Sequence, residues 1–272
     1  MNGFSTKVLV MTDIHITKPR QRIIGLDPTE RFRACLTHAA QNHPDADALV
    51  LTGDLTHHGI PEQYQHLRSL LDGLPWPVHF LIGNHDVRDS FRKSFPEAPT
   101  DPNGFVQSTA QLGAHRLVLL DTSDPENDPY HGGDLCPARL EWLRSQLDGQ
   151  PSGSVVIMMH HPPFVTGFSG MDRIGLASRT AFNQIIADSP AVAMVVAGHV
   201  HRTIWGSAGG KPCAVLKSPC HQMPMDLTSV DSSLSIDEPG AYGVLILGDA
   251  GVTLLSEDVG LPGQAVSDPD SV

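Results

Sequence analysis

The stretch VHFLIGNHD, residues 78–86, joins an apolar run to a polar cluster, and this combination recurs along the chain. The run Val78–Ile82 ends at Gly83-Asn84-His85-Asp86. A short, continuous apolar run of this kind is typical of a strand that is buried on both faces. We therefore predict a strand that delivers Asn84 and His85 to the edge of a sheet.

Five further apolar runs end at polar turns in the same way. They are Lys7–Met11, Ala48–Leu51, Leu117–Leu120, Ser154–Met159 and Val192–Ala197. The turns that follow are Thr12-Asp13-Ile14-His15, Thr52-Gly53-Asp54, Asp121-Thr122-Ser123, His160-His161-Pro162-Pro163 and Gly198-His199-Val200-His201. In open α/β sheets the carboxyl ends of the strands border a crevice where ligands bind. We therefore expect these turns to converge.

The local geometry of these turns is predicted from residue spacing. Asp13 and His15 are two residues apart, as are His199 and His201, so on an extended segment each pair points to one side. A glycine precedes both Asp54 and Asn84, which lets the backbone turn sharply and leaves room beside these residues.

Amphipathic helical segments alternate with the strands. The first begins at the N-cap Asp27, and three more cover Pro61–Asp72, Pro137–Asp148 and Ser178–Asp188. This alternation predicts a layered α/β fold with a largely parallel sheet.

After about residue 205 the helical pattern stops. Strands are expected over about 205–258, with a hairpin joining Tyr242–Leu247 to Val252–Leu255. We expect one domain over residues 1–272, and fraying of the Pro-, Ser- and Asp-rich tail 260–272.

Composition excludes several classes of protein. Among 272 residues, 18 Lys and Arg face 30 Asp and Glu, so the net charge of −12 disfavours binding to a nucleic-acid duplex. The apolar runs are far shorter than the ~20 residues that cross a bilayer. The start of the chain lacks a signal-peptide layout, and a cytoplasmic location is expected. Four cysteines without a C-x-x-C pair indicate neither a disulfide scaffold nor a zinc knuckle.

Seven side chains at the strand ends suit a metal centre. They are Asp13, His15, Asp54, Asn84, His160, His199 and His201. Two carboxylates, one amide and four imidazoles suit Mn²⁺, Fe or Zn²⁺ better than Ca²⁺ or Mg²⁺ alone. Seven ligands are too many for one catalytic ion with an open position, so we predict two divalent or transition-metal ions that share a carboxylate.

The ordered series D-x-H, G-D, G-N-H-D, H-H-P-P and G-H-x-H, within residues 7–202, resembles the calcineurin-like metallophosphoesterase superfamily. The chain length, the H-H-P-P block and Cys220-His221-Gln222 resemble its bacterial class III cyclic-nucleotide phosphodiesterases and related glycerophosphodiesterases. This resemblance implies a four-layer αββα sandwich and a metal-dependent phosphoric diester hydrolase.

The resemblance also implies individual roles. Asp13, His15 and His201 would hold one metal ion, and Asn84, His160 and His199 the other, with Asp54 between the two ions. His85 would lie beside the substrate phosphate without binding metal, and His221 near the pocket on the substrate side. His161 either supports the neighbouring ligand or is an ordinary loop histidine.

The expected reaction is hydrolysis of a small soluble phosphodiester, a cyclic nucleotide or a glycerophosphodiester. A metal-activated water would attack phosphorus, and His85 would protonate the leaving alkoxide. A phosphomonoesterase or nucleotide pyrophosphohydrolase on the same site, and a non-catalytic binding scaffold, are the alternatives. Assembly into a homo-oligomer through the C-terminal strands is a further hypothesis.

Several other polar residues have less certain roles. His57 and His58 are expected to be solvated loop residues, and Asp121 a structural hydrogen-bonding group. Asp86 either orients the His85 loop or caps a helix over Val87–Phe95. Arg173 and Arg202 are either phosphate contacts or surface charges.

Overall fold

The computed structural model describes residues 4–127, 130–148 and 153–261. Its elements are, in order, β1 Phe4–Met11, α1 Pro28–Asn42, β2 Ala48–Thr52, α2 Pro61–Leu71, β3 Val78–Leu81, α3 Arg88–Ser94, β4 Ser108–Leu112, β5 His115–Leu120, α4 Pro137–Leu147, β6 Val155–Met159, α5 Ser169–Arg173, α6 Arg179–Ala187, β7 Val192–Ala197, β8 Ile204–Ala208, β9 Lys211–Val215, β10 Ala241–Gly248 and β11 Gly251–Asp258. The predicted fraying of the tail concerns residues that, from 262 onward, lie outside this description.

The strands form two sheets. A five-stranded sheet has the order β11-β10-β1-β2-β3, and a six-stranded sheet has the order β4-β5-β6-β7-β9-β8. The central strands β1-β2-β3 and β5-β6-β7-β9 pair in parallel. Antiparallel strands complete both sheets, so the sheets are mixed, and the predicted parallel pairing holds for their central strands.

The two sheets pack face to face between helices. Val10 and Val50 of one sheet and Val156 and Val196 of the other share one buried apolar cluster. A second cluster joins the first sheet to α1, α2 and α3, and a third joins the second sheet to α4, α5 and α6. The expected αββα sandwich is thereby confirmed.

Local sequence signals account for the start of α1 and for the turn between β10 and β11. Asp27 caps α1, because its Oδ1 accepts hydrogen bonds from the N–H groups of Thr29 and Glu30 at 3.0 and 3.4 Å. Strands β10 and β11 form the predicted hairpin, which closes at Gly248 and Gly251. No helix within residues 4–127, 130–148 and 153–261 has the length and apolar character to span a bilayer. The four cysteines are free thiols, and three of them, Cys35, Cys213 and Cys220, are buried.

Three elements have a weak sequence pattern. Strand β4 has only one buried residue, Ala110, and therefore lacks an apolar run. Strand β8 has an exposed Trp205 and a glycine, and helix α5 is only five residues long. Each of these elements is held by its neighbours rather than by a pattern of its own.

We predict that Leu254→Ala lowers the free energy of unfolding by about 2–4 kcal/mol, because Leu254 packs in the cluster between the sheets. Leu255→Ala is the matched control. It lies next on the same strand, is 50% exposed, and should change stability by less than about 0.5 kcal/mol. Chemical denaturation measures both. Equal losses for the two variants would contradict the assigned packing of β11.

Candidate metal centre

The turns after β1, β2, β3, β6 and β7 meet at one end of the sandwich. His201 Nε2 lies 3.3 Å from Asp13 Oδ1, and His160 Nε2 lies 3.4 Å from Asp54 Oδ2. Both pairs join residues that follow different sheets. The seven predicted ligands are therefore brought together, and the packing of the two sheets sets their separations.

Asp54 lies at the centre of this group and is almost fully buried. Its Oδ1 accepts a hydrogen bond of 2.8 Å from the backbone N–H of His85. Its Oδ2 lies 3.6 Å from His15 Nε2 and 3.4 Å from His160 Nε2. One oxygen is thus fixed by the backbone, while the other lies close to the imidazoles of both His15 and His160.

The first ligand group comprises Asp13, His15, Asp54 and His201, whose donor atoms all lie within 4.8 Å of one another. His15 Nε2 and His201 Nε2 are 3.0 Å apart. His201 Nδ1 is 2.9 Å from the carbonyl oxygen of His221 and donates to it, which turns Nε2 toward the group. These four side chains offer the oxygen and nitrogen atoms that a divalent transition metal prefers.

The second ligand group comprises Asn84, His160 and His199, and His160 Nε2 lies 3.4 Å from Asp54 Oδ2. His160 Nδ1 donates to the carbonyl oxygen of Thr52 at 3.1 Å, and its Nε2 lies 3.1 Å from Asn84 Oδ1. His199 Nε2 is buried and has no hydrogen-bond partner among the described residues. A buried nitrogen without a partner is costly, and a metal ion would satisfy it. The residues present therefore fit the predicted metal.

Backbone strain is concentrated in this group. Eight non-glycine residues in the described ranges have a left-handed φ, and five of them are predicted ligands: Asp13, His15, Asp54, His199 and His201. The prediction that the D-x-H and H-x-H pairs lie on extended segments is therefore wrong. The strands end first, and each turn bends sharply to aim its side chains inward. Strain of this kind persists where the surrounding structure holds it, commonly at functional sites.

Glycines leave the space that these side chains occupy. A Cβ on Gly53 would lie 2.5 Å from His160 Nδ1, and Gly53 itself has a φ of +94°. A Cβ on Gly83 would overlap Asp54 Oδ1. The predicted room beside Asp54 and Asn84 is thus confirmed.

Asp86 organises the loop that carries Asn84 and His85. Its carboxylate accepts hydrogen bonds from the N–H groups of Leu55, Thr56 and Gly83 and from the hydroxyl of Tyr64, at 2.9–3.2 Å. Helix α3 instead begins after Val87 without a side-chain cap. Of the two roles considered for Asp86, orientation of the loop is the one that the contacts support.

His57 was expected to be solvated, and this is wrong. It lines the central cleft, its Nδ1 lies 3.3 Å from His15 Nδ1, and its ring stacks on His85 with centroids 5.3 Å apart. Its neighbour His58 is exposed, as predicted.

His131 was missed by the sequence analysis. Its Nδ1 lies 2.9 Å from Asn84 Nδ2 and accepts from that amide, so Asn84 Oδ1 stays directed at His160. Its ring stacks on His85 at 4.9 Å. No apolar run or ligand motif precedes His131, so the sequence gives no sign of its role. In the structure it is distinguished by a left-handed φ of 73°.

His161 is fully buried, so it is not an ordinary loop histidine. Its Nδ1 accepts from the Thr122 hydroxyl at 2.8 Å, and its Nε2 donates to the carbonyl oxygen of His131 at 3.1 Å. Burial lowers the pKa of His161 to about 3. With both nitrogens engaged, the neutral ring ties the His131 loop to the strand end that carries His160.

His85 and His221 line the same cleft as the ligand groups. The ring of His221 lies 4.5 Å from that of His201, and its buried Nδ1 has no partner among the described residues. His85 Nδ1 lies 2.9 Å from the carbonyl oxygen of His57 and donates to it. This hydrogen bond leaves Nε2 as the free nitrogen of His85.

Arg173, Arg202 and Asp121, the remaining charged residues considered from the sequence, contact other groups of the protein. Arg202 pairs with Glu238 and donates to the Met223 carbonyl, and Arg173 donates to the Val230 carbonyl. Asp121 accepts two hydrogen bonds from Arg88 and one from the Val106 N–H, which confirms its structural role. The described contacts of Arg173 and Arg202 tie loops together, and neither residue lines the cleft.

The carboxylates and imidazoles of the centre shift one another's pKa. Burial lowers the pKa of His160, but the adjacent Asp54 carboxylate outweighs it and raises the pKa to about 9. Burial likewise disfavours the ionised form of Asp54, yet His160 and His85 hold its pKa well below the ordinary value. Without metal, a proton on His160 therefore balances the buried charge of Asp54.

Comparison with known proteins agrees with this arrangement. A family model described as calcineurin-like phosphoesterase matches residues 6–203. A probable cyclic nucleotide phosphodiesterase of Rhodopseudomonas palustris is 39% identical, over 87% of this chain and 86% of its own. A probable glycerophosphodiester phosphodiesterase of Arcobacter nitrofigilis is 28% identical, over 85% of each chain.

The fold is shared more widely. A crystal structure of a dimetal phosphatase from Danio rerio superposes with a TM-score of 0.68 at 13% identity, covering 94% of this chain and all of that one. The layered fold, with its buried Asp and His residues and the partly buried Asn84, is that of a metallophosphoesterase. The chain belongs to the calcineurin-like phosphoesterase family.

We predict that chelator-treated protein binds Mn²⁺ more tightly as the pH rises from 6.5 toward 9. His160 keeps its proton through this range because its pKa is raised, and an incoming ion must displace that proton. For each proton that the ion displaces, the apparent affinity for Mn²⁺ rises by up to about tenfold per pH unit. This rise ends once the pH exceeds the raised pKa of His160. Titration calorimetry across this range measures it. An affinity independent of pH would contradict the proposed proton on His160.

Proposed function

We propose that this chain hydrolyses a small soluble phosphodiester, a cyclic nucleotide or a glycerophosphodiester, with two divalent metal ions. The observation that carries the proposal is the position of Asp54 Oδ2, between His15 Nε2 at 3.6 Å and His160 Nε2 at 3.4 Å. A carboxylate in this position suits two ions that share one ligand. The names of the two relatives, a cyclic nucleotide phosphodiesterase and a glycerophosphodiester phosphodiesterase, support the substrate class.

In this proposal Asp13, His15 and His201 hold one ion, and Asn84, His160 and His199 hold the other. Asp54 serves both. When bound, the ions supply a water that ionises near neutral pH and neutralise charge on the phosphoryl oxygens. The mixture of nitrogen and oxygen ligands favours Mn²⁺, Fe or Zn²⁺.

The protein itself positions these groups before substrate arrives. The backbone N–H of His85 holds one oxygen of Asp54, and His131 holds the amide of Asn84. Such supporting hydrogen bonds fix the orientation of metal ligands and typically contribute 10–100-fold to affinity or activity. The centre is thus formed by the fold rather than assembled by the substrate.

His85 is the proposed acid for the leaving group. Its Nδ1 donates to the His57 carbonyl, so only Nε2 is available to the substrate. In the protonated ring, Nε2 carries a hydrogen that can pass to the departing alkoxide. The stacked rings of His57 and His131 on either side hold His85 in the cleft.

We predict that Mn²⁺-loaded protein hydrolyses bis(p-nitrophenyl) phosphate, cyclic AMP or glycerophosphocholine with a higher kcat/KM than p-nitrophenyl phosphate, and leaves duplex DNA uncut. Asp54→Ala should abolish turnover, because it removes a ligand from both ions. A substrate panel with phosphate and nucleotide detection measures this. A preference of about tenfold or more for the monoester would instead favour a phosphomonoesterase.

We predict that His85→Ala keeps its metal content while kcat falls by about 10²–10⁴-fold. The loss should be smaller for a nitrophenolate leaving group, which departs without a proton. Asn84→Ala should instead lose metal and recover partly with added Mn²⁺. His58→Ala, at the exposed neighbouring histidine, is the control and should retain normal kcat.

Metal analysis beside kcat for two leaving groups separates these roles. A metal deficit in His85→Ala, or an equal slowing of both substrates, would contradict the acid role of His85.

A further inference from the structure

The cleft beside the ligand groups is lined by both polar and apolar residues. Its volume is about 350 Å³, near the lower end of the roughly 300–1,000 Å³ found for small-molecule sites. The polar part of the lining comprises the histidines, Asp54 and Asn84, together with Ser232, Ser233 and Ser235. The apolar part includes Ile23, Ile24, Met171, Ile174, Met223 and Leu234. The polar part suits the phosphate of an ester, and the apolar part suits its organic group.

The charge of the lining restricts that organic part. Asp54 is the only acidic residue among the described residues of this cleft, and no Phe, Tyr or Trp lines it. A quaternary ammonium group is recognised by carboxylates or by Phe, Tyr and Trp faces. The described lining offers none of these rings, and its one carboxylate, Asp54, is a proposed metal ligand. Isoleucine and methionine side chains suit a flat, uncharged heteroaromatic ring, and the serines can bond with its polar edge.

Ile24 occupies an unfavourable backbone conformation at the lip of this cleft. The backbone groups of Ile23 and Leu26 bond to each other at 2.9 and 2.8 Å and close a two-residue turn. The central residues Ile24 and Gly25 have φ of 45° and 85°. A turn with two left-handed residues favours Asn-Gly, and a β-branched residue at the first position is strained.

Packing within the protein does not account for this choice of residue. The side chain of Ile24 is 51% exposed, so it contributes little to the core. A strained apolar residue that is half exposed and lines the cleft is better explained by a ligand contact than by folding.

We propose that Ile24 is a specificity-determining residue, whose side chain forms the apolar wall against which the heteroaromatic base of the substrate packs. This inference rests on the proposed function, and it concerns the organic group of the substrate in the same cleft. The tight turn over Ile23–Leu26 holds Ile24 over the cleft before substrate binds, which lowers the entropy lost on binding.

The test compares Ile24→Asn with Ile24→Leu in the Mn²⁺-loaded protein. Titration calorimetry with AMP and with inorganic phosphate separates the base contact from the phosphate contact. Ile24→Asn should weaken the binding of AMP by about tenfold, as expected for the loss of roughly half of a buried aliphatic side chain. It should leave the binding of inorganic phosphate unchanged. Ile24→Leu, which keeps an apolar side chain, should bind AMP nearly as well as the parent protein.

Thermal unfolding supplies a second measurement, in which Ile24→Asn should not be impaired although its AMP binding is weakened. Asparagine tolerates the left-handed conformation, so Ile24→Asn should keep or raise Tm, by up to about 2–4 °C. Arg20→Asn is the matched control. Arg20 also has a left-handed φ, of 70°, but does not line the cleft, and its replacement should leave AMP binding unchanged.

Three results for Ile24→Asn would overturn the role of Ile24. They are an equal loss of affinity for AMP and phosphate, unchanged AMP binding, and a lower Tm. Failure of the proposed function is recognised separately. If the parent protein hydrolyses neither cyclic AMP nor glycerophosphocholine, the diesterase proposal fails, while AMP binding still decides whether Ile24 contacts a base.

Discussion

The carboxylate of Asp54 is the constraint on which the rest of the centre depends. The His85 N–H fixes one of its oxygens, and the other lies between imidazoles that belong to different ligand groups. Since Asp54 follows the first sheet and His160 the second, their approach requires the two sheets to pack in one relative position. The apolar cluster between the sheets therefore determines the geometry of a polar site at their edge.

The strained backbone at the strand ends costs free energy, and the packing of the two sheets offsets it. Left-handed φ values at Asp13, Asp54 and His199 are uncommon for residues with side chains, and each costs free energy in isolation. The strand before Asp54 is fully buried, and glycines such as Gly53 leave space where side chains must cross. A rigid double sheet thus holds strained turns in place, as expected where a site is formed before its ligand binds.

The sequence predicted the parts of the molecule that have a strong local pattern. Uninterrupted apolar runs marked β1, β2, β6 and β7, and the polar turns after them marked the ligand residues. It could not predict contacts between distant segments: His131 reaches Asn84 only through the fold, and Asp86 bonds to Leu55 and Tyr64 rather than capping its own helix. Strand β4, with a single buried residue, has no pattern to detect. Residue spacing also misjudged the D-x-H turn, because positive φ depends on what surrounds the residue.

Anomalous X-ray diffraction at the manganese edge, on crystals of the Mn²⁺-loaded protein, would locate the metal ions relative to Asp54. Two anomalous peaks per chain are expected. One should lie among Asp13, His15 and His201, the other among Asn84, His160 and His199, and both should contact the Asp54 carboxylate. A single peak in a fully loaded and active crystal, or two peaks of which only one contacts Asp54, would contradict the shared carboxylate.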